Sequence, residues 1–347
     1  MIGPAGSAVD IGRLAGWMDA QGLASGAITD ARLLTGGTQN IILAFSRGGR
    51  RFVLRRPPAR PRLGNNETML REARVLGTLS ATAVPHPALI ATCADEEILG
   101  AAFYLMEPIN GFNATTGPLP ALHAADPALQ HAMGFALVDG AAALGRVDHV
   151  AAGLADFGRP DGYLQRQVAR WRKQLDGYAV HAGWPGRGCL PGVEKIADYL
   201  ESECPAEFQP GLIHGDFHFG NVMFRNDGPE LAAIIDWELA TIGDPLIDLA
   251  WLIATWPRSG GPELDVLKVT PWDGFPTAEE LIARYAANSD RDLGRIDWYI
   301  VLACYKLGII LEGTHARSCA GATSAETGHR LHDTAIRLMQ RALHRIA

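Results

Sequence analysis

Apolar residues at Ile11, Leu14, Trp17 and Met18 share one face at helical spacing and predict a helix over 10–24. Two short apolar runs follow, 41–45 and 51–54, separated by Arg47-Gly48-Gly49-Arg50, a hairpin signal. Pro57, Pro58 and Pro61 stop the second run. Asn65 or Asn66 is expected to cap a helix over 67–80, with Glu67 in its first turn and Met69, Leu70, Ala73, Leu76 and Leu79 facing inward. A further strand is predicted at 102–106. Residues 110–121, rich in Gly, Pro, Asn and Thr, read as a loop. Beyond them the pattern is mostly helical, with helices expected near 127–146, 161–176, 192–203, 245–255, 278–288, 295–312 and 326–345, and short strands at 211–213 and 231–236. A β-rich first lobe (1–107) is thus expected to pass through a hinge (108–111) into a helical second lobe (112–347), an α+β organisation.

Composition narrows the function classes. The 347 residues are 48% hydrophobic and 20% charged, as in globular proteins, which excludes wholesale disorder. No apolar run is long enough for a membrane span and the start lacks a secretory signal, so no membrane association is expected. The five cysteines form no CxxC pair, which argues against a disulfide framework or structural zinc site and favours a reducing, cytoplasmic location. A net charge of −7 argues against nucleic acid as partner. The charge is uneven. Residues 1–110 carry 11 basic and 9 acidic side chains, and the rest 20 and 29. That split suits either a phosphate ligand and a metal, or an ordinary solvated surface.

The densest chemistry lies at His214-Gly215-Asp216-Phe217-His218-Phe219-Gly220-Asn221, followed by Asp236-Trp237-Glu238. A hairpin-like segment between them can return Asp236 toward the first loop. Phosphoryl transfer from ATP needs such a set, because catalysis there is positioning and charge neutralisation. Mg²⁺ takes oxygen ligands, which Asn221 and Asp236 can supply. A separate carboxylate, Asp216, would take the acceptor hydroxyl's proton. The five-residue spacing from Asp216 to Asn221 matches the kinase catalytic loop. The alternative for the loop alone is a turn with capping Asp and Asn residues.

HGDFHFGN, IIDWE and GDPLIDLAW resemble the aminoglycoside phosphotransferase family, which has the protein-kinase-like two-lobe fold. The similarity runs from about Leu33 to Trp256. More narrowly, residues 154–171 and 52–58 resemble a subgroup that includes the kinase-like domain fused, in animals, to acyl-CoA dehydrogenases. The resemblance implies an ATP- and Mg²⁺-dependent kinase of a small-molecule alcohol, hydroxyacyl-CoA substrates included, with GTP as the alternative nucleotide. It implies Asp216 as catalytic base, Asn221 and Asp236 as Mg²⁺ ligands, and Asp248 as a brace for the loop, with His214 packed beneath it. Asp156-Phe157-Gly158 spells the kinase metal motif but precedes the loop, where a metal carboxylate must follow it. It is expected to close a turn.

On the nucleotide side, Gly36, Gly37 and Thr38 stand where a phosphate-covering loop belongs. The kinase strand lysine is replaced by Arg55, with Arg56 on the opposite face. Glu72 is the expected ion-pair partner of Arg55; otherwise it is an exposed helical glutamate. The backbone from Glu107 to Ile109 is expected to meet the adenine edge. Arg159, Arg166, Arg170, Arg172 and Lys173 around Trp171 form either an anionic-acceptor patch or a solvated helix face. His218 stands where family members often carry Arg. The rival functions are a true aminoglycoside kinase and a catalytically silent nucleotide- or metabolite-binding protein, the latter favoured by Arg55.

Overall fold

A computed structural model describes residues 9–34, 40–58, 64–257 and 268–347. Contacts divide the chain into two units. One takes in the residues up to Gly111 together with Ala232–Ala240; the other holds Phe112–Leu231 and Thr241–Ala347. The sequence reading placed 112–347 in one lobe, but the segment Ala232–Ala240 clusters with the first unit.

The first unit opens with helix α1 (Ile11–Ala20), capped by Asp10, whose side chain accepts from Arg13 N. Strands β1 (Thr29–Leu33), β2 (Ile41–Arg47) and β3 (Arg50–Arg56) precede helix α2 (Asn65–Leu79). Strand β4 (Leu89–Cys93), helix α3 (Glu96–Leu99) and strand β5 (Phe103–Met106) complete it, in an antiparallel sheet of order β1-β2-β3-β5-β4. The β2–β3 hairpin closes at Arg47↔Arg50 around Gly48 (φ 56) and Gly49 (φ 75), a backbone shape that glycine adopts readily.

Alternation then sorts the side chains. Phe52, Leu54, Phe103 and Leu105 join Leu14, Trp17 and Met18 in one core. Arg55 pairs in register with Tyr104. Arg56 is buried elsewhere, its Nη1 donating to Leu99 O at 2.7 Å.

The α2 boundary differs from expectation. Gly64 precedes the helix with no side-chain cap, and Asn66 Oδ1 instead accepts from Ala102 N at 3.1 Å, tying the helix to the start of β5. Strand β1 escaped prediction because its burial shows no two-residue alternation.

The second unit is helical: α4 (Ala121–Ala125), α5 (Pro127–Gly145), α6 (Gln165–Gly177), α7 (Val193–Ser202), α8 (Leu246–Thr255), α9 (Ala278–Ala287), α10 (Ile296–Cys319) and α11 (Ala325–Arg345). Helix α4 lies at the end of the stretch expected as loop. Helix α10 runs seven residues beyond its expected end at 312, and within that extension His315 meets the buried Glu312 at 2.8 Å. Strand Gly211–Ile213 pairs antiparallel with Thr241–Gly243 and leads into the His214 loop. Against that strand the Asp156-Phe157-Gly158 turn packs tightly: Phe157 is buried, and a Cβ at Gly158 would lie 2.6 Å from Ile242 N. Asp244 accepts from Leu246 N at 3.0 Å at the start of α8, the capping role its place before Pro245 implies.

Candidate active site

The loop after strand Gly211–Ile213 is held from below. Asp248, in the first turn of α8, is buried and accepts from His214 N (2.6 Å) and Gly215 N (2.9 Å). Gly215 has φ +84, in the left-handed region that side chains disfavour. The fully buried His214 turns its Nδ1 toward Asp216 N at 3.3 Å. From the far side Asn113 donates to Gly220 O (2.7 Å) and Val222 O (3.2 Å). Phe219 stacks on Trp256, with centroids 5.1 Å apart.

These supports aim Asp216 and Asn221 at each other. Asn221 Nδ2 donates to Asp216 Oδ2 and to Asp216 O, both at 2.9 Å, which turns its Oδ1 away. Trp251 Nε1 donates to Asp216 Oδ1 at 2.8 Å. His218 Nδ1 accepts from Gly220 N at 2.9 Å, so in the neutral ring the proton sits on Nε2, 3.3 Å from Asp216 Oδ1. Burial pushes the Asp216 carboxyl up, but the His218 hydrogen bond and charge, with His214 and Lys306, outweigh it and hold the group well below the carboxylate range.

Lys306 of α10 donates to Gly215 O at 3.0 Å, its Nζ 4.2 Å from the Trp251 ring centroid and 5.5 Å from that of Trp171. Burial pushes this ammonium down to about 8. Neither Trp251 nor Lys306 is signalled by the sequence pattern around the loop. The tryptophan's N–H role and the lysine's approach across 91 residues leave no local pattern to find.

In the first unit a second cluster forms around Arg55. Its Nε lies 3.0 Å from Glu72 Oε2, too poorly aligned for a hydrogen bond, and its Nη2 donates to Asp236 Oδ1 at 2.6 Å. Tyr104 donates to Glu72 Oε2 at 3.0 Å. Glu72 is 1% exposed, so it is not the solvated helical glutamate of the alternative reading. Burial pushes Glu72 up, against the pull of Arg55. Burial also opposes the Arg55 charge, yet Glu72, Tyr104 and Asp236 hold it above its ordinary value. Asp236 sits at φ 66, an αL conformation that Asp tolerates better than most residues and that recurs at functional sites. Glu107 N donates to Ala88 O at 2.9 Å, and its exposed carboxylate meets Arg50 at 2.7 Å. Gly36, Gly37 and Thr38 lie outside the described residues.

Side chains of the basic segment 159–173 turn to different partners. Arg166 donates to Arg159 O and Asp161 O, and Arg172 meets Glu201 at 2.7 Å. Arg170 lies over Trp171, 5.2 Å from its ring centroid. No helix among the described residues is long and apolar enough to cross a membrane.

Comparison with known proteins accords with this geometry. A family model described as "Phosphotransferase enzyme family" matches residues 20–281. Acyl-CoA dehydrogenase family member 11 of Gallus gallus is 31% identical over 316 residues, which are 88% of this chain and 39% of that protein. The chain therefore spans about two-fifths of that relative's length. A Ralstonia eutropha crystal structure with a provisional assignment as aminoglycoside phosphotransferase is 26% identical, with TM-score 0.79, covering 97% of this chain and 99% of the other. A thermostable mutant of aminoglycoside phosphotransferase APH(4)-Ia, in ternary complex with AMP-PNP and hygromycin B, has TM-score 0.59 at 16% identity, covering 93% and 98%. The fold is protein-kinase-like, with the small antiparallel sheet and the helical C-terminal region that the sequence predicts.

Proposed function

We propose that this chain, which belongs to the phosphotransferase enzyme family, transfers the γ-phosphoryl group of ATP to a hydroxyl of an anionic small molecule, a hydroxyacyl-CoA or a hydroxy acid. Family and fold support small-molecule kinase activity in general; the acceptor class is our reading. It draws on the acyl-CoA chemistry in the relative's name and on Lys306 and Arg170 beside Trp171, cations better suited to a carboxylate or phosphate than to a polycation.

The observation that carries the reading is the wiring of Asp216. A carboxylate fixed by Trp251, Asn221 and His218, with its pKa held low, stays ionised and orients a hydroxyl. It takes the proton late, once phosphoryl transfer has made the hydroxyl acidic. Asn221 spends its amide protons on Asp216, which leaves its side-chain oxygen as an oxygen donor of the kind Mg²⁺ prefers. A carboxylate oxygen of Asp236 is the second donor that the family resemblance assigns. When bound there, Mg²⁺ would neutralise phosphate charge. Arg55, kept charged by Glu72, offers a planar fork to phosphate oxygens. At the hinge, Glu107 N–H is committed to Ala88 O and Pro108 has none. An adenine edge would therefore use the Glu107 carbonyl and the Ile109 N–H.

Acceptor-dependent ADP release with Mg·ATP and Mg·GTP tests this, across hydroxyacyl-CoAs, free hydroxy acids, aminoglycosides, choline and homoserine. Turnover confined to the anionic acceptors is expected, and turnover confined to aminoglycosides would replace that acceptor class. One observation favours a second reading, a silent nucleotide-binding protein: Arg55 Nη2 holds Asp236 Oδ1 at 2.6 Å. Mg²⁺-dependent ATP binding that weakens in Asp236→Asn supports the kinase. ATP binding indifferent to both Mg²⁺ and that substitution supports the silent protein.

A further inference from the structure

Away from the phosphotransfer residues, Glu312 of α10 is wholly buried and gathers contacts from its own helix, from the stretch holding Trp184 and Cys189, and from α11. Trp184 Nε1 lies 2.7 Å from its Oε1 and Cys189 Sγ 3.2 Å from the same oxygen. His315 Nδ1 reaches Oε1 at 2.8 Å, and His332 Nδ1 of α11 reaches Oε2 at 2.6 Å. The two imidazoles stack with centroids 4.1 Å apart, and Cys319 Sγ lies 3.5 Å from His315 Nε2. The proposed phosphotransfer chemistry uses none of these side chains.

We infer that Cys189, Glu312 and His332 form a binding site for a borderline-soft divalent cation of the Zn²⁺ type. One ligand atom from each lies within 4.8 Å of the other two. Atoms sharing a tetrahedral Zn²⁺ at normal bond lengths sit about 3.3–3.6 Å apart, so shifts of about an ångström would close the site. Thiolate and imidazole donors select against Mg²⁺ and Ca²⁺.

Charge balances as well. The Cys189 thiol would give its proton to buffer, and His332 would carry its proton on Nε2. Thiolate and carboxylate together then neutralise the dication. The outer shell is already in place. Trp184 and His315 orient the carboxylate, and the contact with Cys319 at Nε2 fits the His315 tautomer that donates from Nδ1. Cys189 and His332 are only part-buried, which leaves the cation a way in.

The test is titration of the full chain with Co²⁺ and Zn²⁺ in excess Mg²⁺, with a chromophoric chelator competing. One equivalent of Co²⁺ with a thiolate-to-metal charge-transfer band is expected. Cys189→Ser should lose the band and more than about 100-fold in Zn²⁺ affinity, while His315→Gln, an outer-shell change, should keep the band and lose about 10–100-fold. Cys319→Ser should keep the band, excluding the exposed thiol. Wild-type protein that takes up no equivalent of Zn²⁺, or a band that survives in a folded Cys189→Ser variant, overturns the inference and leaves a closed hydrogen-bond network. ATP turnover enters neither readout.

Discussion

In the first unit Arg55 forms salt bridges with Glu72 and Asp236. In the second, the nearest donors to the Asp216 carboxylate are the neutral N–H groups of Trp251 and Asn221 and the His218 ring. Both arrangements hold a carboxylate in place, by different physics. A buried ion pair repays desolvation only while both partners remain, and it cancels the charge it positions. The neutral N–H donors of Trp251 and Asn221 fix geometry without cancelling the negative charge, which is left for chemistry. The first cluster therefore suits a site whose charges are to be shared with a ligand, and the second suits a group that must act on a substrate proton.

The comparison breaks most directly at Asp216. Asp216→Asn should lower turnover by about 10²–10⁴-fold with ATP binding retained, as for loss of a general base; ADP-release assays read this, and near-normal turnover would remove Asp216 from the chemistry. Next, Arg55→Met should cost about 3–5 kcal/mol of stability because it strands the buried Glu72. Urea unfolding measures the loss, and Arg55→Met/Glu72→Gln should recover part of it; a loss under about 1 kcal/mol would mean the first cluster is not held by its ions.

Trp251→Phe keeps a ring under Lys306 but removes the N–H on Asp216. A hydrogen bond to a charged group is worth about 1.5–3 kcal/mol, so kcat should fall by roughly tenfold or more with the KM for ATP little changed. The smallest effect is in pH. Burial lowers Lys306 from 10.5 to about 8. Between those values the unfolded chain binds the proton and the folded chain does not, so this group makes stability rise with pH across that window. Lys306→Met should abolish the rise; unfolding curves near each end of the window, for both proteins, decide it.

Much of the fold is legible in the sequence. The paired glycines at 48 and 49, the capping Asp10 and Asp244, and the apolar faces of α2, α7 and α11 act within a few residues, and local spacing reports them. Strand β1 does not announce itself, because its partner β2, not its own side chains, makes it a strand. The pairing of Arg55 with Glu72 follows from strand alternation and helix position, but the buried state of Glu72 does not. The basic run 159–173 is left open by the sequence between an anionic-acceptor patch and a solvated face; in the structure Arg172 reaches Glu201 while Arg166 donates back to Arg159 O.

The zinc expectation, drawn from the absence of paired cysteines, tested only local spacing. Cys189, Glu312 and His332 come together across 143 residues.

By itself the sequence determined what depends on near neighbours: the strongly periodic helices and the β2–β3 hairpin, which face of them is apolar, and the spacing that puts Asp216 and Asn221 on one loop. Beyond the Arg55–Glu72 pair, tertiary structure decided what lies across from each charge. It brought Trp251 and Lys306 to the Asp216 loop, and Asp236 to Arg55. The reason is physical: the cost of burying a charge, and the pKa that follows, are set by atoms that meet only when distant segments pack.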